Sequence, residues 1–384
     1  MKKIYILSAL CLMLIIVPIL LFAQSEGGDD QITENNPTTD NGALNQEIFN
    51  AKILEIIDQQ TITDENNTEH VKQKLKLQGL NGNYEGKVVI YDGMKYNFLS
   101  DTIFRVNDKI RMQVSVNSSG EKIFYIEDII RTNDIYLLII IFIIITIVVG
   151  RLKGLTALIG LGLSFVVILK IILPLIVAGY NPLIVTIIGS ILIMIVALYI
   201  VHGFNKKTTA AIIGTSIGLI VIGLVSWIFT EMTRLTGTAS EESLFIADIL
   251  GKQLNMKGVL LAGMIIGALG VLDDITIGQA SSVQQIHETN PALNKKEVYK
   301  RAMRVGIDHV GSIVNTLFLA YAGASMSLLL LFQANQPPFT DFEHIINHAV
   351  ISEEIVRAVC GSIGLILVVP ITTLIAVFIF IRKK

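Results

Sequence analysis

GVLLAGMIIGALGVLDDITIGQASSV, residues 258–283, is 26 residues long and holds two charged side chains, Asp273 and Asp274, adjacent and past its middle. About 20 apolar residues in succession cross the ~30 Å hydrocarbon core of a bilayer, so the run reads as a membrane span. An Asp at the centre of a span costs ~2.5–3.5 kcal/mol on insertion scales, and two in succession need water, a partner or a proton. Sequence neighbours point about 100° apart on a helix, so the pair cannot face one groove together. Stepping by threes and fours from Asp274 gives Gly270, Gly267 and Gly263 behind it and Gly278, Ser281, Ser282 and Gln285 ahead. That is one small and polar stripe. Small residues let a second helix approach closely, and a carboxylate on such a seam is shielded from lipid. Asp273 keeps company with Gly270, Thr276 and Ala280 at the edge of the stripe.

The chain around this run has the same character. Its 384 residues are 52% hydrophobic and 16% charged, with a mean hydropathy of +0.64. A soluble globule carries nearer a quarter of charged residues, so the composition places the chain in a bilayer. Seven spans follow Asp134, at roughly 135–150, 154–178, 182–201, 208–232, 258–283, 305–332 and 355–381. Ahead of them Ile4 to Phe22 follows Lys2 and Lys3 and ends near Ala23, the make-up of a signal peptide or an uncleaved anchor. Leu21, large for the third position before a cut after Ala23, favours the anchor. The expected fold is an α-helical polytopic membrane protein of 7–8 transmembrane helices, with the membrane domain at 135–384. Orientation follows from the basic residues. Lys2/Lys3, Arg151/Lys153, Lys206/Lys207, the cluster Lys295, Lys296, Lys300, Arg301 and Arg304, and Arg382 to Lys384 fall on one side if the spans alternate. That side is the cytoplasm, where the C-terminus also lies.

Between the first run and the spans the pattern changes. Residues 24–45 are rich in Asn, Asp, Thr and Gly and read as a disordered tether. Residues 46–134 read as a small all-β extracytoplasmic domain. In VKQKLKL, Val71, Leu75 and Leu77 alternate with Lys72, Lys74 and Lys76, the period of a half-buried strand. KIRMQVSV repeats the pattern through Ile110, Met112, Val114 and Val116, and NSSG turns the chain toward KIFYI. Asn81-Gly82 and Asp92-Gly93 mark further turns. Residues 24–134 hold 19 acidic against 11 basic side chains, which makes the region acidic.

Other polar features are fewer. Asp308 and His309 lie one turn into the span after the carboxylates, and Asp308 shares a face with Asn315, seven residues on. These residues are candidates for the second wall of an ion or proton relay with Asp273 and Asp274. NKKEVYKRAMRVG opens with Asn294 three residues before Glu297, a capping-box start for a basic interfacial helix. Lys170 before Pro174 reads as a snorkelling lysine. His344 and His348 are four apart, but no further ligand is identified, so no metal is expected. Gly214 and Gly218 form a helix-packing seam. Cys11 and Cys360 stand in apolar runs at opposite ends of the chain and indicate neither a disulfide framework nor a thiolate site. No basic, aromatic-studded stripe points to nucleic acid.

GALGVLDDITIGQASSVQQI, the following NPALNKKEVYKRAMRVGIDHVGSIVNTLFLAYAGA and the preceding VNDKIRMQV resemble the YibE/F family of bacterial multi-pass membrane proteins, from about Asn50 to the C-terminus. The resemblance implies the bacterial cytoplasmic membrane. The order of spans, outer domain and Asp-bearing span is more loosely similar to one half of the RND and SecDF-type transporters. An extra span and a much smaller outer domain depart from that pattern.

The functional expectation is a proton- or cation-coupled transporter, or a component of one, using the Asp pair to carry H⁺ or a cation for an unidentified cargo. The alternative is a non-catalytic scaffold or receptor whose outer β domain binds a protein partner. An enzyme is not expected, and neither is a cofactor. Adjacent aspartates splay apart, although Asp274 and Asp308 are a conceivable converging pair, and no Ser-His or His-Glu-x-x-His arrangement stands in the spans.

Overall fold

A computed structural model describes residues 47–63, 69–95, 102–116, 122–251, 254–334 and 341–381. The N-terminal run, the tether, the NSSG turn and Arg382 to Lys384 lie outside the described residues. The chain divides into two compact units, one ending at Ile145 and the other running from Thr146 to the C-terminal end.

The first unit is built on a five-stranded antiparallel sheet of β1 (Glu47–Thr63), β2 (Glu69–Gly79), β3 (Val88–Asp92), β4 (Lys109–Val116) and β5 (Lys122–Ile129), in the order β3-β2-β1-β4-β5. Alternation decides its faces. Leu75 and Leu77 are buried with Ile110, Met112 and Val114 from β4, while Lys72, Lys74 and Lys76 stay partly exposed. β1 shifts register between Ile53 and Glu55 and again between Ile56 and Asp58, so one long strand bends from its pairing with β4 into its pairing with β2. Gln73 is the polar member of the core, and it is fully engaged. Its Nε2 donates to the Phe104 carbonyl and to Gln59 Oε1, and its Oε1 accepts from the Phe104 N–H. Beside it Lys74 Nζ stands 2.9 Å from Asp92, and this pair holds the Asp92 carboxyl below its usual range.

Phe49 closes the core. Its ring stacks on Tyr84 at 4.4 Å and meets Phe124 edge-on at 6.4 Å. Removing a buried Phe side chain costs ~3–5 kcal/mol. In the full-length protein, Phe49→Ala is expected to speed hydrogen exchange on β1, β2 and β4 by at least roughly a hundredfold if these amides exchange by opening of the unit. The helices after Thr146 should keep their protection.

The second unit is helical. Its elements are α1 (Thr132–Val167, begun in the first unit), a π-helical turn at Ile168–Ile172, α2 (Leu173–Val177), α3 (Pro182–His202), α4 (Lys206–Met232), α5 (Glu241–Leu250), α6 (Met256–Thr289), α7 (Lys295–Ala324), α8 (Met326–Gln333), α9 (Phe342–Asn347) and α10 (Ala349–Phe380). Among the described residues six helical runs are long and apolar enough to cross a membrane: Thr132–Val177, α3, α4, α6, α7 and α10. The expected seven become six because 135–150 and 154–178 form one run. A single residue, Arg151, breaks it, with φ 51° and ψ −132°. Gly154 permits the bend, since a Cβ there would collide with the Thr146 carbonyl.

Asparagine starts most of the long helices. Asn181, Asn205 and Asn255 each accept a backbone N–H three residues on, and Asn294 completes the capping box with Glu297. α4, α6 and α10 make the centre, drawn together where side chains are missing. Gly214 and Gly218 of α4 receive Thr372 and Val368 of α10, and Gly364 of α10 receives Ile222 of α4. α7 adds Gly306, which faces Val369 and Gln279.

Candidate functional site

α6 spans 34 residues, which at 1.5 Å per residue is about 51 Å. Asp273 and Asp274 fall near its middle, and the ~100° between them sends them to different surroundings. Asp274 is exposed and lines a cleft of about 360 Å³ with Gly270, Val271 and Ile275 of α6 and His309, Ile313 and Thr316 of α7. The wall from α7 is one helical face, at spacings of four and three. A Cβ placed on Gly270 or Gly278 would meet nothing within 4 Å, so the α6 stripe is an open groove on both sides of the carboxylate.

Asp273 turns the other way. It is half-buried, and its Oδ1 has no hydrogen-bond partner among the described residues. Just beyond it Thr276 Oγ1 donates to the Asp273 carbonyl at 3.1 Å and lies 2.7 Å from Thr215 Oγ1 of α4. One turn further along α6, Gln279 Oε1 accepts from Thr373 Oγ1 of α10 at 2.9 Å, while Gln279 Nε2 is buried without a partner opposite Gly306. A polar layer therefore runs through the middle of α4, α6 and α10, and the cleft opens beside it. His202, ending α3, lies within electrostatic range of Asp274, Lys153 and Lys207.

The remaining sequence candidates are placed as follows. Asp308 and Asn315 are exposed on α7 and do not line the cleft, whose wall is set one residue further on. Gly263 and Gly267 carry side chains rather than a helix backbone: Arg357 Nη1 and the Tyr321 hydroxyl approach them. Ser281 and Ser282 are partly exposed, and Ser282 donates to the Gly278 carbonyl at 2.9 Å. Lys170 is exposed in the π-helical turn. His344 pairs with Asp341 at 3.1 Å, and α9 ends before His348, so the two imidazoles do not share a helical face.

Sequence reasoning passed over Tyr321, Glu353, Glu354 and Arg357. The Glu-Glu-x-x-Arg spacing at the start of α10 is the signal that marks them, but setting the span's start at 355 left the acids in a loop.

An Asp and a His supply half of the four ligands that a structural zinc takes. Among the described residues no group of three or more His, Cys, Asp or Glu gathers. What the cleft can do chemically is take up and release a proton or hold a small cation loosely, with a carboxylate from one helix and an imidazole from the next.

The family model of YibE/F-like proteins matches residues 138–382, which takes in every long helix after the β-sheet and the whole cleft. No curated protein and no solved structure matches the chain, and the looser likeness to RND and SecDF-type transporters finds no counterpart in these comparisons. The family and the six apolar helices together fit a membrane protein that crosses the bilayer several times. By the extent of that match, the chain belongs to the YibE/F-like family.

Proposed function

We propose that the protein is a multi-pass component of the bacterial cytoplasmic membrane that carries protons, or another small cation, through the cleft between α6 and α7, as a transporter or part of one. The observation that carries this reading is the cleft itself, where Asp274 and His309 from neighbouring helices share about 360 Å³ at mid-helix. An ionisable residue inside a span is expensive and marks an ion or proton pathway more often than a packing contact. The basic residues at Arg151/Lys153, Lys206/Lys207 and 295–304 alternate with the helices and put those ends in the cytoplasm. The β-sheet unit then faces out and the C-terminus in. The protein acts by binding and release rather than by bond-making chemistry.

Proton flux into proteoliposomes under an imposed pH gradient and potential tests it, with wild type set against Asp273→Asn/Asp274→Asn. Flux is expected in wild type and absent in the double variant at equal incorporation. Equal flux in both would favour the scaffold reading. There a partner docks on the sheet face opposite the core, where Ile48, Val88 and Ile90 are each more than half exposed.

A further inference from the structure

A second polar cluster lies along the same groove, toward the end where α6 and α10 begin. Arg357 of α10 lays Nη1 against Gly263, 3.5 Å from where a Cβ would stand, and its Nε is 3.5 Å from Glu354 Oε1. Tyr321 of α7 sets its hydroxyl over Gly267, 2.7 Å from the Cβ position. Glu353 is 8% exposed, with Oε1 buried and lacking a hydrogen-bond partner among the described residues. Its carboxylate faces the N–H groups of Gly237 and Ala239, and Arg357 and Glu354 lie within its electrostatic range. Gly263, Gly267, Gly270 and Asp274 follow one another at steps of four, three and four on a single face of α6. The cluster and the cleft are therefore two stations about 16 Å apart on one groove.

We propose that Tyr321, Glu353, Glu354 and Arg357 form the outer entry to the Asp274 cleft and that the ion admitted is the proton. This rests on the cleft being a transport path. A snorkelling ion pair would point toward headgroups; here the guanidinium is turned onto a glycine of the groove, and a buried carboxylate oxygen stands beside it unpaired. Arginine stays charged at any working pH, so Arg357 is a fixed cation at the mouth and repels metal cations. A proton needs no such passage, because it moves by exchange between oxygens. One arriving at the Tyr321 oxygen releases the hydroxyl's own proton toward the Asp274 carboxylate, and the hydroxyl is restored when it turns back. A phenol both donates and accepts, which this exchange requires.

The test uses full-length protein in proteoliposomes, with an internal pH dye and, separately, radioactive sodium. Tyr321→Phe keeps the ring and removes the hydroxyl. Gly267→Ala keeps the hydroxyl and displaces it. Each is expected to cut proton flux at least roughly tenfold, the scale of a positioned proton-transfer group. Arg357→Gln should admit sodium that wild type excludes, a gain that mere loss of structure does not produce. If Asp274→Asn abolishes flux while Tyr321→Phe and Gly267→Ala run at the wild-type rate, the entry is overturned and the cleft stands. Wild-type flux in Asp274→Asn, or none in wild type, sinks the cleft and the entry together. A wild type that carries sodium as readily as protons overturns the proton assignment.

Discussion

Asp274→Asn alone is expected to lower proton flux by roughly a hundredfold or more, the loss seen when a positioned acid–base group is removed, whereas Asp273→Asn alone should leave flux within about threefold of wild type. The two side chains are neighbours in sequence but not in surroundings. Asp274 lines the cleft opposite His309 and Thr316, with open space over Gly270 and Gly278 on either side. An ion moving along that groove must pass it. Asp273 has a buried Oδ1 with no partner, and Thr276, which donates to its carbonyl, is tied to Thr215 of α4. Its place is against the bundle.

An amide at 273 removes the charge without emptying the space, so this variant should fold at least as well as wild type. A buried unsatisfied polar group costs ~1–3 kcal/mol, more when charged, and part of that is recovered. The measurement is the pair of single variants side by side, flux together with melting temperature. Similar flux losses in both would mean that the carboxylates act as one coupled site. The geometric division argued here would then fail.

Periodicity explains why the sheet and the helices were legible before any coordinates. Val71, Leu75 and Leu77 alternate with lysines, and only one face of β2 can then be buried. The spans were legible from apolar length alone. What sequence does not contain is phase. Asp308 and Asn315 do share a face of α7, but the rotation of that helix is set by the residues it buries, Val298, Ala302, Gly306 and Leu317. Burying that set turns His309, Ile313 and Thr316 to the cleft and leaves Asp308 outside it. The break at Arg151 was hidden for a related reason, since no proline announces it and the chain resumes its helix at once. Glycines were the hardest to place. Gly263 and Gly267 look like Gly214 and Gly218 in sequence, yet the first pair receives a guanidinium and a phenol while the second packs α10. Which of the two a glycine does depends on residues about 50 to 160 positions away.

Gly364→Ala makes that last distinction measurable, and it is expected to be the most damaging single methyl in the helical unit. The added Cβ would fall inside the van der Waals shell of Ile222 Cγ1 on α4 and stand 2.8 Å from its Cδ1 and 3.3 Å from its Cβ. Ile222 is fully buried and β-branched, so it has one strongly preferred χ1 rotamer in a helix and little room to turn away. Overpacking of this kind costs ~1–3 kcal/mol, occasionally more. At roughly 2–4 °C per kcal/mol for a unit of this size, melting should fall by about 5–10 °C.

Cys360, buried one turn earlier on α10, is the reporter. A thiol-reactive dye in a Cys11→Ser background follows its exposure on heating. Gly270→Ala is the control, because its Cβ meets nothing within 4 Å and alanine is the better helix former. Shortening the partner with Ile222→Ala should return part of the loss, with a coupling of at least about 1 kcal/mol between the two sites. If the Gly364 and Gly270 variants melt together, α4 and α10 do not meet as described, and the polar layer that backs the cleft goes with them.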